Sequence, residues 1–140
     1  FEAAVTRTLA ALQPGDTLVT LGLQGEGGDA SSESTGLAYY AGLSSCVSTF
    51  RSRMPTGYAT SLHVQTVSFN IGPGWPWQWL VQLAQEKFGK DPNLNNCLVR
   101  MNDIGTPDGE NGIIVAQHPG DSVLVTAGER IGHAIAARLK

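Results

Sequence analysis

The spacing of apolar residues along the chain predicts four helices and five strands. Apolar residues three or four positions apart predict helices over 1–12, 36–53, 76–88 and 128–140. Short runs of aliphatic and β-branched residues predict strands over 17–23, 61–71, 97–104, 113–117 and 122–126. Between the first strand and the second helix, residues 24–35 are too rich in glycine and polar residues to pack. We expect a surface loop there.

The strand predicted over 61–71 changes parity along its length. Leu62 and Val64 point to one face, whereas the apolar residues after position 66 belong to the opposite parity. A bulge near Gln65–Thr66 would return all of them to a single apolar face. We therefore expect a bulged strand here.

The order of the elements combines crossover helices with a terminal run of three strands. Residues 105–112 and 118–121 are rich in turn-forming Gly, Pro, Asp and Asn, which predicts tight connections between those strands. Strands joined by such turns are antiparallel. We therefore expect an α+β fold with a mixed, mainly antiparallel sheet and helices packed on it as a two-layer α/β sandwich. A length of 140 residues fits a single domain over 1–140.

Charge and hydropathy exclude two classes of partner. The net charge is −3, and Lys and Arg together number 9 without forming a cluster. Because binding to phosphate backbones needs clustered basic residues, nucleic acid is disfavoured. No apolar run reaches the length of about 18 residues that a membrane helix needs, so we predict no membrane span.

Several features favour an extracellular location. Lysine occurs only at positions 87, 90 and 140, and the charged fraction of 15% is below the usual level of about 25%. The sequence begins at Phe1 rather than at a methionine, as a processed chain would. Two cysteines, Cys46 and Cys97, match one disulfide in an oxidising compartment. We therefore expect a secreted protein with a Cys46–Cys97 bond.

Neither a cofactor nor a metal ion is predicted. The glycine-rich segment 22–30 carries Glu26 and Asp29, whose charge would repel a phosphate group. The acidic segment 102–112 lacks the ligand spacing of a calcium-binding EF-hand loop. Neither cysteine has a Cys or His partner at zinc-site spacing.

Histidines and carboxylates provide one candidate catalytic set. His118 follows a predicted strand and His63 lies within another, and a general acid and a general base must both reach the substrate. If those strands are neighbours, the two histidines converge with Glu110 or Asp103. The resulting alternative is a small secreted hydrolase or ribonuclease that uses His118, His63 and Glu110. The competing interpretation of this candidate catalytic set is that each histidine has only a structural role.

All three tryptophans lie within five residues, at positions 75, 77 and 79. On the helix opened by Pro76, Trp77 shares the apolar stripe, whereas Trp79 lies on the opposite side. Trp75 precedes the helix in a rigid loop. Exposed tryptophans are typical anchors of binding surfaces. We therefore predict Trp75 and Trp79 as candidate binding residues, against the alternative that they cover a neighbouring loop.

The absence of a strong catalytic signature favours a binding protein over an enzyme. We expect a small secreted protein, effector-like or toxin-like and of microbial origin, that binds a protein or carbohydrate surface of another cell. A second alternative, besides the hydrolase, is a processed subunit of a larger assembly, with the aromatic patch as its interface.

Overall fold

The described part of the chain contains four helices and two parallel sheets. A computed structural model describes residues 2–23, 30–54, 61–68, 70–71, 75–104, 113–114 and 121–140. The helices are α1 (Glu2–Ala11), α2 (Glu33–Ser52), α3 (Gln78–Gly89) and α4 (Asp121–Arg138). The strands are β1 (Leu18–Gly22), β2 (Ser61–Val67), β3 (Asn70–Ile71), β4 (Asn96–Arg100) and β5 (Ile113–Ile114).

The main sheet has the order β1-β2-β4, and all three strands are parallel. The register places Val19 beside Leu62, and Val64 beside Cys97. The short strands β3 and β5 form a second parallel pair. The predicted mainly antiparallel sheet is therefore wrong, although a mixture of helices and strands is present. Parallel strands need crossover connections, and here α2 and α3 supply them.

Helices cover both faces of the main sheet. On one face, Leu62, Val64, Cys97 and Val99 pack in one core cluster with residues of α4 (Val123, Ala127, Ile131, Ala134 and Ile135). On the other face, the ring of Phe88 in α3 contacts the His63 ring edge to face, with centroids 5.5 Å apart. Helix α2 packs against α3 on this second face. The arrangement has three layers rather than the two that the sequence predicted.

The strand predicted over 122–126 is instead the first part of α4. The run Val123–Thr126 has strand-like composition, but apolar residues continue at helical spacing through Val123, Ala127 and Ile131. Those three positions pack on the sheet, whereas Leu124 and Val125 are exposed. Burial of one continuous helical stripe outweighs the weak strand preference of the β-branched residues. The loss of this strand removes the antiparallel meander.

Strand β2 pairs with β1 and β4 without a bulge at Gln65–Thr66. Residues 62–68 are all buried. A central parallel strand is covered on both faces, so its apolar residues need not share one parity. Because β2 buries both of its faces, it does not need the predicted bulge to bring its apolar residues to one face.

The predicted helix at 36–53 begins earlier, at Glu33, because Ser32 caps it. The Ser32 side chain accepts a hydrogen bond from the backbone N–H of Thr35, at 3.2 Å. Helix α3 begins at Gln78, with Trp77 at the N-cap position, rather than at Pro76.

The predicted Cys46–Cys97 disulfide is not formed, since both cysteines are free thiols. Cys46 is exposed on α2, on one side of the sheet. Cys97 is buried on the other side, where its Sγ lies 4.0 Å from the carbonyl oxygen of Ala134 in α4. A disulfide needs Cα atoms within about 7 Å, and the sheet separates these two residues. The predicted secreted location loses this support and stays a prediction.

No helix within the described ranges is both long and apolar enough to cross a membrane.

Candidate functional site

A cavity of about 690 Å³ lies between α2 and the strands β1 and β2. Val5 of α1 lines one side of the cavity. The segment Thr20–Leu23, at the carboxyl end of β1, lines another side. We call this space the α2–sheet cavity. Its volume falls within the range of about 300–1,000 Å³ that is typical of small-molecule sites.

One face of α2 forms the long wall of the cavity. Its lining residues recur every three or four positions (Thr35, Ala38, Tyr39, Gly42, Leu43, Cys46, Val47 and Phe50). Apolar side chains supply most of this wall. The wall is held to the rest of the protein through α3, because Gly36 allows close contact: a Cβ at Gly36 would lie 2.9 Å from the Leu80 Cβ. Helix α2 therefore packs on α3 and spans the cavity.

Gly42 faces open space in the middle of this wall. A Cβ added there would meet no other heavy atom within 4 Å. Glycine in a helix interior costs about 1 kcal/mol relative to alanine, and at Gly36 close packing explains it. At Gly42 no packing explains it. The missing side chain enlarges the cavity.

Polar residues of β1 and β2 form the floor of the cavity. The Thr20 hydroxyl lies 2.9 Å from His63 Nδ1, and His63 Nε2 lies 3.1 Å from Gln65 Oε1. The Gln65 amide nitrogen donates to the carbonyl oxygens of Thr66, at 2.9 Å, and Gly22, at 3.3 Å. The parallel register places Thr20 beside His63, and Gly22 beside Gln65. We call these three side chains, Thr20, His63 and Gln65, the polar floor.

The polar floor fixes the tautomer of His63. Because the Gln65 amide nitrogen faces two carbonyl oxygens, its Oε1 must be the atom that faces His63. Oε1 only accepts, so His63 Nε2 carries the proton and donates it. Nδ1 is then the acceptor for the Thr20 hydroxyl.

His63 is neutral at its position under the cavity. The residue is only 4% exposed. Burial lowers the pKa of the imidazole; the hydrogen bond to Gln65 opposes this shift, and the positive charge of Arg51 adds to it. Since the ordinary pKa of histidine is already near 6.5, the ring is uncharged at neutral pH.

Among the described residues that line the cavity, none carries a charge at neutral pH. Arg51, near the end of α2, points away to the starts of β2 and β4. It donates hydrogen bonds to the carbonyl oxygens of Ser61 and Asn95 and to Asn96 Oδ1. The cavity thus combines apolar walls with a neutral, hydrogen-bonded floor.

The floor packs tightly against the carboxyl end of β1. A Cβ at Gly22 would lie 2.6 Å from Gln65 Oε1 and 3.2 Å from His63 Nε2. In open parallel sheets ligands bind beside the carboxyl ends of the strands. The cavity reaches this end of β1 through Gly22 and Leu23.

Trp75 and Trp79, the two tryptophans predicted to bind, differ in exposure and in the residues that surround them. Trp79 is 55% exposed on α3, and Leu83, one turn further along, is 59% exposed. Trp75 is partly buried and packs against the core cluster beneath α4. The two residues therefore do not present one free aromatic surface.

Of the predicted catalytic set, His118 and Glu110 lie outside the described residues. His63 has both ring nitrogens engaged in the polar floor. Asp103, the alternative carboxylate, pairs with Arg130 of α4 at the surface. Within the described part of the chain, no group of three His, Cys, Asp or Glu residues is placed to hold a metal ion.

The cavity escaped sequence reasoning, although two signals for it were present. The face of α2 that lines it was recognised as apolar and interpreted as core. Gly42, which interrupts that face, was the informative residue, since it removes bulk where a core helix would supply it. The polar residues His63 and Gln65 within a buried strand were the second signal.

Comparison of the chain with protein-family models, with curated proteins and with solved structures found no match.

Proposed function

We propose that this protein binds a small, mainly apolar molecule in the α2–sheet cavity. The observation that carries the proposal is a mainly apolar cavity of about 690 Å³, whose described lining residues carry no charge, above a polar floor of three hydrogen-bonded side chains. Ligand sites in proteins are commonly apolar with a few placed polar groups. An apolar space of this size left without a ligand would forfeit packing contacts with its lining.

The glycine at position 42 supports the same conclusion. It costs helix stability and gains no packing contact. Gly128 and Gly132 of α4 are equally open, but only the space over Gly42 belongs to the cavity and is available to a bound molecule. Cys46 and Gly42 are both exposed and both line the cavity, so a molecule can enter past this part of α2.

The test is a fluorescence titration with N-phenyl-1-naphthylamine, a neutral probe that brightens in apolar sites. We expect saturable binding to the unaltered chain and its loss in Gly42→Phe, because the new ring fills the cavity. Gly132→Phe is the matched control: Gly132 is also an exposed helical glycine with no heavy atom within 4 Å of an added Cβ, but it lies on α4. Equal binding to both variants would contradict the proposal.

A second candidate function follows from the exposed pair Trp79 and Leu83. Anchors four positions apart on a helix suit an apolar groove on a partner protein. A photo-crosslinking residue at position 83 should capture one partner, and Trp79→Ala should abolish that adduct. The same residue at exposed position 124 of α4 is the control. An adduct that persists in Trp79→Ala would argue against this function.

A further inference from the structure

The polar floor has no hydrogen-bond donor left for a ligand. The His63 Nε2–H group is donated to Gln65, and both amide hydrogens of Gln65 are donated to backbone carbonyls. The Thr20 hydroxyl hydrogen is directed to His63 Nδ1, since the alternative acceptor, the Leu62 carbonyl oxygen, is more distant at 3.4 Å against 2.9 Å. All four donors are spent within the protein.

Acceptor capacity remains at Thr20. A hydroxyl oxygen has two lone pairs besides its hydrogen, and the contacts of Thr20 Oγ1 with His63 and Leu62 use its hydrogen alone. Thr20 is also the most exposed member of the floor: it is half-buried, whereas His63 is 4% and Gln65 0% exposed. Of the three floor side chains, Thr20 is therefore the most accessible to a ligand in the cavity.

We infer that the ligand carries an uncharged hydrogen-bond donor, such as a hydroxyl group on an apolar ring or chain, and donates it to Thr20 Oγ1. This inference rests on the proposed function of the cavity. A ligand group that can only accept hydrogen bonds would face Thr20 Oγ1 without a hydrogen atom between the two acceptor atoms. A buried acceptor without a partner loses free energy.

A charged ligand is disfavoured by the same surroundings. No described lining residue could neutralise a carboxylate or an ammonium group. Moving an unpaired charge out of water into such a cavity is strongly unfavourable. The polar floor therefore favours a ligand with a hydrogen-bond donor over an acceptor-only or an anionic ligand with the same apolar ring.

The test compares 2-naphthol, 2-methoxynaphthalene and 2-naphthoate at pH 7. Each is added to the full chain, and the rate at which iodoacetamide alkylates Cys46 is followed by mass spectrometry. Cys46 lines the cavity, so a bound ring protects it, and buried Cys97 serves as an internal reference for unfolding. Half-protection should need about twofold to threefold less 2-naphthol than 2-methoxynaphthalene, because one net hydrogen bond, up to about tenfold in affinity, outweighs the ether's extra carbon, up to about fourfold. 2-Naphthoate should not protect in that range.

The methyl ether makes this comparison stringent. Because it carries one more apolar carbon than 2-naphthol, apolar burial alone would favour the ether. A preference for the hydroxyl compound must therefore come from the hydrogen bond. Equal protection by both compounds, or better protection by the ether, would overturn the inference and leave the cavity as a ligand site. Protection by none of the three would overturn the proposed function as well.

Two variants of Thr20 identify the acceptor. Thr20→Val has the same shape without the hydroxyl and should lose the preference for 2-naphthol. Thr20→Ser retains the hydroxyl and should keep the preference, which separates a loss of the acceptor from a general disturbance of β1. If Thr20→Val still prefers 2-naphthol to the same extent, Thr20 is not the acceptor and the inference fails.

Discussion

His63 is a buried imidazole whose hydrogen bonds both stay inside the protein. Its neutral form donates to Gln65 and accepts from Thr20. Protonation would place a charge beneath an apolar cavity and would replace the acceptor at Nδ1 by a second donor. Burial accordingly lowers the pKa of His63 in the folded chain below its usual value of 6.5.

This shift predicts how stability depends on pH. In the unfolded chain His63 takes up a proton as the pH falls through about 6.5, whereas the folded chain resists protonation until a lower pH. The unfolded state therefore binds more protons in that interval, and the contribution of His63 to the free energy of unfolding is full above pH 6.5 and falls below it. Urea denaturation of the unaltered chain and of His63→Gln between pH 8 and pH 5 checks this.

His63→Gln is the control because glutamine does not titrate, while the rest of the chain is the same in both proteins. The difference in unfolding free energy between the two proteins should shrink as the pH falls. If the difference is constant with pH, His63 does not titrate differently on folding, and its neutral role in the polar floor is wrong.

The individual residues show what the sequence could reveal at this scale. The helical wheel placed Trp79 on the outer side of its helix, because a helix of known phase fixes which side chains leave the core. It could not place Trp75, since a loop residue has no periodicity and its packing beneath α4 depends on a distant element. For His63 the sequence predicts either catalysis or a structural role, and its partners Thr20 and Gln65 follow only from the register of β1 and β2.

At the scale of elements, two glycines of α2 have opposite surroundings. Gly36 lies against α3, where an added Cβ would be 2.9 Å from the Leu80 Cβ, and Gly42 faces the open cavity. Gly36→Ala should destabilise the chain by about 1–3 kcal/mol because the helices must separate. Gly42→Ala should stabilise it by about 0.5–1 kcal/mol through helix propensity alone.

Chemical denaturation of the two alanine variants measures both effects in the same helix. The pair is internally matched, since the substitution and the helix are identical and only the neighbours differ. Equal stabilisation by both substitutions would mean that α2 and α3 are not in the close contact described above.

Arg51 joins the end of α2 to the starts of β2 and β4. Its three acceptors are the carbonyl oxygens of Ser61 and Asn95 and the Asn96 side chain. Arg51→Met keeps much of the apolar stem and removes these bonds, so we expect a loss of about 1–3 kcal/mol in unfolding free energy. Arg7→Met, at an exposed position of α1, is the control and should change stability by less than about 0.5 kcal/mol. Similar losses in both would contradict the anchoring role.

The elements themselves were predictable where one period dominated. Helices α2 and α3 and strands β1 and β4 have clear apolar patterns, and the structure has them within a few residues of the predicted bounds. The single strand predicted over 61–71, whose parity changes, forms β2 and β3 in separate sheets. The sequence predicts a strand and a separate helix in place of α4, because three of the four residues over 123–126 are β-branched and turn-forming residues precede them. The helical stripe of Val123, Ala127 and Ile131 determines the structure of this segment because the main sheet offers a surface on which it packs.

At the scale of the whole molecule, the position of the crossovers determines the architecture. Because α2 and α3 connect neighbouring parallel strands on one face, α4 is left to cover the other face. The apolar pattern of a helix does not specify which face of the sheet it covers. The predicted run of three terminal strands, which the structure contradicts, implied an antiparallel sheet. The α2–sheet cavity results from this placement of the helices, because α2 packs on α3 and leaves space between itself and β1 and β2.

The three layers also predict the reactivity of the two cysteines. Cys46 is exposed on α2, and Cys97 lies beneath α4 on the opposite face of the sheet. Titration with a chromogenic disulfide reagent should therefore detect one rapidly reacting thiol in the native chain. The second thiol should react orders of magnitude more slowly, because Cys97 needs α4 to open. Both should react at once in denaturant.

Substitution of each cysteine assigns the two phases. Cys46→Ser should remove the fast phase, and Cys97→Ser should remove the slow one. The same titration decides the compartment argument: a chain with no reactive thiol in denaturant until a reductant is added would contain the Cys46–Cys97 bond that the sequence predicted. That result would require the cysteines to meet across the sheet, and the layer order of α2, sheet and α4 would then be wrong.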